Sequence, residues 1–199
     1  MMQALVYTAA KLIEHRDIPR PAPGNGDALI EVKSVGICGS DMHAYLGHDA
    51  RRPAPLILGH EAAGIIVGGD KDGLRVTVNP MVTCSTCAAC TSGRDNLCPK
   101  RQILSLPPCE GAFAQFIAMP EQNLVEVPKS VSITKAALTE PLAVSWHAAR
   151  LAIEALDPVK SASVRVGAAG TLEVRLTPRV PAALWRDGAI LRMIDNDGV

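Results

Sequence analysis

The chain has 199 residues, enough for one full domain and part of a second at roughly 100 to 200 residues per domain. Its 20 basic and 20 acidic residues cancel and no run of like charge occurs, which argues against nucleic-acid and membrane-surface partners and leaves a small molecule as the expected ligand. With no stretch of about 18 apolar residues and no leader pattern, the expectation is a soluble, cytoplasmic protein whose core, at 3% aromatic content, is mostly aliphatic.

From residue 1 to 127, short apolar runs alternate with Gly, Pro and Asp: "QALVY", "ALIEVKSVG", "AAGIIVGG", "LRVTVNP" and "GAFAQFIAMP". This pattern predicts many short strands in a β-rich, barrel-like domain. Two motifs within it carry metal-ligand chemistry. "GICGSDMH" holds Cys38, Ser40, Asp41 and His43, and "LGHEAAG" holds His60 and Glu61. A thiolate, an imidazole and a carboxylate on separate loops would give zinc three protein ligands and leave the fourth position open, which is the catalytic arrangement. Taken singly, each also has a plain explanation as a core thiol, a hydrogen-bonded loop histidine and a solvated charge. Gly36, Gly39, Gly59 and Gly64 flank the motifs and permit tight turns against a metal.

Further on, "CSTCAACTSGRDNLC" spaces Cys84, Cys87 and Cys90 three apart and returns at Cys98. Such spacing lets four thiolates converge on one tetrahedral zinc with no position left for water, a structural staple. The alternatives are buried or disulfide-paired cysteines and an iron–sulfur cluster. Five of the six cysteines therefore fall in metal-type motifs, which fits a reducing compartment. Cys109, His15 and His48 have no such partner spacing.

After Val131 the period turns helical. "ITKAAL" predicts one or two turns, and Pro141 opens a helix through "LAVSWHAARLAIEAL", closed by Asp157 and Pro158. His147 within it is expected to be a packing residue. Pro178 and Pro181 make a long helix improbable in the last forty residues. Instead, "SVRV", "GAAG" and "TLEVRL" read as a hairpin, and "ALWRDGAILRMI" as another around Asp187 and Gly188.

Taken in order, "GICGSDMH", "LGHEAAGIIV", "CSTCAACTSGRDNLCP", "EGAFAQFIAMPEQNLVEVP" and "AALTEPLAVSWHAAR" resemble the zinc-dependent medium-chain alcohol and polyol dehydrogenases, including sorbitol, threonine and idonate-type enzymes. The likeness covers residues 1–156. It implies a mainly β chain with some α: a GroES-like β-barrel catalytic domain over 1–156, followed over 157–199 by a truncated or non-standard remnant of a Rossmann domain. It also implies two zinc ions per chain. The catalytic ion would take Cys38, His60 and Glu61, with Glu140 as a fourth ligand or near neighbour; the structural ion would take Cys84, Cys87, Cys90 and Cys98. Glu140 has a second explanation, since an acidic residue suits the positive end of a helix. By the same resemblance Ser40 takes the proton from an alcohol, His43 passes it to solvent, and Asp41 orients the liganding histidine.

The family's substrate would be a small secondary alcohol or polyol oxidised by hydride transfer to NAD or NADP, and the resemblance allows a homo-oligomer. The chain departs from the family where the dinucleotide fingerprint belongs. There "VRVGAAGTLEVRL" aligns Gly170 with the second glycine but places Ala168 first and Glu173 third, and Asp195 takes the place of the ribose-binding acid. Two readings follow: an oxidoreductase, or a non-catalytic zinc-binding GroES-like remnant with a structural or interaction role. A co-chaperonin-like partner is a third reading, against which both zinc motifs argue.

Overall fold

The structure, a computed structural model, describes residues 1–156, 159–166, 172–187 and 190–196. Its contacts divide the chain into two units, Met1–Pro141 and Leu142–Val199.

In the first unit the alternation read from the sequence becomes strands. β1 (Met2–Ala9) runs antiparallel to β2 (Leu12–Ile18) on one side and to β4 (Leu56–Ile57) on the other. A five-stranded sheet carries β3 (Asp27–Gly36), β5 (Glu61–Ile66), β6 (Arg75–Val78), β9 (Phe116–Pro120) and β10 (Leu124–Glu126) in the order β10-β6-β5-β3-β9. A two-stranded pair, β7 (Met81–Val82) and β8 (Gln102–Ile103), brackets the four-cysteine run. The short helices are α1 (Gly39–Tyr45), α2 (Ala88–Thr91) and α3 (Ile133–Ala136).

Residues 111–115 stitch the two larger sheets together. The N–H groups of Gly111, Ala112 and Phe113 donate to the carbonyls of Ile57, Gly59 and Leu58, while Leu5 N–H donates to Phe113 and Val32 N–H to Gln115. The five-stranded sheet packs an aliphatic cluster in which Ile30, Ala62, Val76, Val78, Ile117 and Met119 are buried together with Ala112 of the stitching segment, and the three-stranded sheet packs a second one from Ala4, Val6 and Ile57. Each fully buried Val or Ile is worth about 1.5–3 kcal/mol, so these clusters are a main source of the unit's stability.

Helix α4 (Thr139–Glu154) begins two residues before Pro141, so the proline sits inside its first turn, where the backbone N–H groups have no intrahelical acceptor and a missing donor costs nothing. No residue of α4 is buried, and Leu142, Val144 and Leu151 are exposed. His147 is exposed as well, so the packing role expected for it is not met. Beyond α4, β11 (Val159–Val166) pairs antiparallel with β12 (Leu172–Pro178), and β13 (Ala183–Asp187) with β14 (Ile190–Ile194), as the strand pattern predicts. Among the described residues no helix is long and apolar enough to cross a membrane.

Gly64 shows how closely the central strands approach. It lies in β5 opposite Val32, and a Cβ there would fall onto the Glu31 carbonyl oxygen and within 2.7 Å of Ile30 Cγ2. Because backbone cannot yield as a side chain end can, Gly64→Ala should cost ~1–3 kcal/mol, the usual range for overpacking. Urea denaturation of the two proteins checks this; an unchanged midpoint would contradict the close approach.

Candidate metal centres

The first centre is local. Cys87 precedes α2, Cys90 lies in it, Cys84 precedes both, and a single 3-10 turn, Asp95–Leu97, returns the chain to Cys98. The sulfur pairs Cys84–Cys90, Cys87–Cys90 and Cys84–Cys98 stand 3.9, 3.5 and 3.6 Å apart. A tetrahedron of four Zn–S bonds of 2.3 Å has edges of about 3.8 Å, so the spacing fits one zinc ion. Disulfide sulfurs would be about 2.0 Å apart, and all four cysteines are free, which removes the disulfide alternative. The sulfurs are also too close together to enclose a multi-atom iron–sulfur cluster. Backbone N–H groups of Thr86 and Cys87 aim at Cys84 and lower its thiol to about 5, whereas burial and neighbouring thiols raise Cys90 to about 11. The thiolate a metal needs is thus favoured at Cys84 over Cys90.

The second centre depends on strand pairing. β3 and β5 run antiparallel with Gly36 opposite Glu61, so the residues that follow β3 and those that precede β5 emerge at the same end of the sheet. Cys38, the residue capping α1, is thereby brought to His60 and Glu61, and one donor atom from each lies within 4.8 Å of the others. His60 and Glu61 are buried and Cys38 is half-buried. A cysteine sulfur, an imidazole and a carboxylate held together, the last two buried, form a donor set that suits zinc with one position open. Of the four glycines flanking the motifs, Gly59 is the one that adopts a left-handed backbone, at φ +91°, directly before His60.

Asp41 ties the ligand loops together. Its carboxylate, 2% exposed, accepts hydrogen bonds from Cys38 N–H at 3.0 Å and from Gly59 N–H at 3.1 Å, and its Oδ1 stands 3.5 Å from His60 Nδ1. Burial pushes the Asp41 carboxyl up, but His60 and those two N–H groups outweigh it and hold it below its ordinary value. Burial likewise disfavours a charged His60, yet Asp41 and Cys38 prevail and raise the ring to about 9. A metal ion taken up through this ring would compete with that proton.

Glu140, in the first turn of α4, lies outside the three-residue donor group but within reach of its charges. Its carboxyl is pushed up by burial, then lowered by His60 and raised by Glu61 and Asp41. Ser40 is half-buried in α1, and His43 is exposed in its last turn, its ring 6.4 Å from that of His48. Gly170 lies outside the described residues. Asp195 is buried and its Oδ2 accepts from Arg179 Nη1 at 2.8 Å. The strands on either side of the fingerprint position pair antiparallel with each other, whereas a pyrophosphate cradle needs a strand leading into a helix N-terminus.

The sequence offers no motif for two further groups near this centre. Ser105 Oγ lies 3.3 Å from His60 Nδ1, and the buried Arg52 donates from Nε to the Ser105 carbonyl at 2.9 Å and from Nη1 to Asp49 Oδ2 at 2.8 Å. "ARRP" and "ILSLPP" are ordinary loop strings, and only the fold juxtaposes them.

The alcohol dehydrogenase GroES-like domain model matches residues 24–129. Sorbitol dehydrogenase of Bacillus subtilis (strain 168) is 44% identical over 157 residues, covering 74% of this chain and 44% of that protein. L-galactonate-5-dehydrogenase of Escherichia coli (strain K12) is 38% identical over 157 residues, covering 76% and 46%. Among solved structures, acetophenone reductase from Geotrichum candidum NBRC 4597 in complex with NAD superposes with a TM-score of 0.68 at 28% identity, covering 79% of this chain and 48% of that one. The chain thus spans about half the length of the relatives it matches.

Asp49 provides a pH test of the network behind the second centre. The Arg51 hydrogen bond leads in lowering its carboxyl from 3.8 to about 2, burial opposes it, and Arg51 N–H and the charges of Arg51 and Arg52 add to the lowering. A carboxyl depressed on folding contributes stability that is present above pH 3.8 and is lost as pH falls through about 2. Asp49→Asn should therefore melt below the parent at neutral pH, with the gap closing across that acid window. A gap independent of pH would contradict the ion pair.

Proposed function

The chain belongs to the zinc-dependent medium-chain polyol dehydrogenase family, and we propose that it carries the zinc-binding half of an oxidoreductase that oxidises a secondary alcohol or polyol by hydride transfer to NAD or NADP. The observation that carries this reading is the convergence of Cys38, His60 and Glu61 from two loops, separate from a closed four-cysteine site. In this reading each site holds one zinc ion. Bound at the open site, zinc supplies Lewis acidity that lowers the pKa of an alcohol oxygen and so favours loss of hydride from the carbinol carbon.

The chain's own groups do the rest. Asp41 holds both ligand loops in register and orients His60. Ser40 accepts the alcohol proton and His43, exposed at the end of α1, passes it to solvent. The balance is one alcohol and one NAD(P)+ converted to one carbonyl compound, one NAD(P)H and one proton. Glu140, close enough to sense the charges of His60 and Glu61, is proposed as a neighbour that adjusts the charge of the site.

A second reading is favoured by one observation, the two antiparallel strand pairs over 159–194 in place of a strand–helix–strand cofactor cradle. In it the chain binds zinc without binding a dinucleotide, and Asp195 serves its ion pair with Arg179 rather than a ribose.

Metal analysis should find about two zinc ions per chain, as one closed and one open site require. Cys38→Ser should lose one of them and keep the other, and Cys98→Ser should do the reverse while lowering thermal stability. Calorimetry with NAD and NADP, and NAD(P)H formation from sorbitol, idonate, threonine or a simple secondary alcohol, then separate the readings. Turnover supports the oxidoreductase, two zinc ions without cofactor binding leave the zinc-binding unit, and a single ion indifferent to Cys38→Ser overturns the oxidoreductase reading.

A further inference from the structure

Ser105 combines features that folding alone does not require. It is fully buried, yet its backbone stands at φ +66°, a left-handed conformation that L residues other than Gly, Asn and Asp rarely adopt. The other non-glycine residues with positive φ among those described, Lys11 and Ser85, are exposed. Both sides of the Ser105 backbone are held. Its N–H donates to the Glu110 carbonyl at 3.5 Å, and its carbonyl accepts from Arg52, itself 5% exposed and paired with Asp49. The loop is thus fixed in a backbone geometry that glycine would adopt without strain, and the side chain that glycine lacks is the one that reaches His60 Nδ1 at 3.3 Å.

That contact meets a chemical need. An imidazole that gives Nε2 to a metal keeps its proton on Nδ1, and the buried Nδ1–H needs an acceptor to fix the ring's tautomer and tilt. Asp41 Oδ1 is the more distant candidate at 3.5 Å and already accepts from Gly59 N–H. The Ser105 hydroxyl is nearer and approaches from a separately anchored loop.

We infer that Ser105 is a positioning residue for the open metal centre, its hydroxyl sharing Nδ1–H of His60 with Asp41 and the Asp49–Arg52 pair holding its loop in place. The inference rests on the reading of His60 as a zinc ligand.

Ser105→Gly separates a positioning role from a structural one, because glycine relieves the backbone strain while removing the hydroxyl. Zinc affinity at the Cys38 site is measured by chelator competition, with the four-cysteine zinc and the melting temperature of the metal-free chain as internal controls. The expected result is a loss of about 10- to 100-fold in affinity at the Cys38 site, the range for removing an outer hydrogen-bond partner of a metal-bound histidine. The four-cysteine zinc should be retained and the melting temperature unchanged or raised. Ser105→Ala should lose affinity similarly but melt below Ser105→Gly, since alanine keeps the strain that glycine relieves. If the parent binds two ions and Ser105→Gly holds the second as tightly, or loses affinity only in step with its melting temperature, the inference falls alone. A parent chain whose bound zinc is indifferent to Cys38→Ser removes the reading of His60 as a ligand and the inference together.

Discussion

A buried carboxylate holds the functional end of this molecule in shape. Asp41 accepts from Cys38 N–H at one loop and from Gly59 N–H at another, and its Oδ1 faces the His60 ring. Removing a charged group from water is costly unless it is hydrogen-bonded and paired, and here both oxygens are used. The same arrangement binds two loops that are distant in sequence and leaves the imidazole of one of them poised beside the thiol of the other. The β3–β5 register brings the loops to one end of the sheet, and Asp41 fixes what lies beyond the strand ends.

The two candidate metal centres follow different structural logics. The four-cysteine site draws its donors from fifteen consecutive residues, a short helix and one 3-10 turn, so it needs little of the surrounding barrel. The Cys38, His60 and Glu61 site exists only if β3 and β5 pair in one register, because a slip of one residue would turn Glu61 to the opposite face. Local sequence thus builds the closed centre and tertiary pairing the open one.

Outside these centres the chain divides at the start of α4. Residues up to Pro141 hold the aliphatic clusters and the stitching segment 111–115, while α4 buries none of its side chains and is followed by two antiparallel strand pairs. The family likeness is strong over the β-rich part, and the departure lies in the fingerprint region, where the chain's own alternation and its prolines favour strands over a phosphate-binding helix.

By itself the sequence established what depends on residue type and short-range spacing. The Cys84–Cys98 run, the Cys38 and His60–Glu61 motifs, the period-two strands and the late antiparallel strand pairs were all legible, because each is set by neighbours a few residues apart, while the expected turns at "GAAG" and Gly188 lie outside the described residues. The sequence offered Asp41 as a carboxylate for a neighbouring histidine to donate to, and the fold sets its Oδ1 3.5 Å from His60 Nδ1. What the sequence left open was decided in three dimensions. His147 proved exposed because helical periodicity records which face is apolar and not whether anything packs against it. Glu140 reached the electrostatic field of the centre without joining its donor group. Ser105 and Arg52 had no motif at all, since a serine gains its meaning from a backbone angle and a ring nitrogen 45 positions away, and those are properties of the packed barrel.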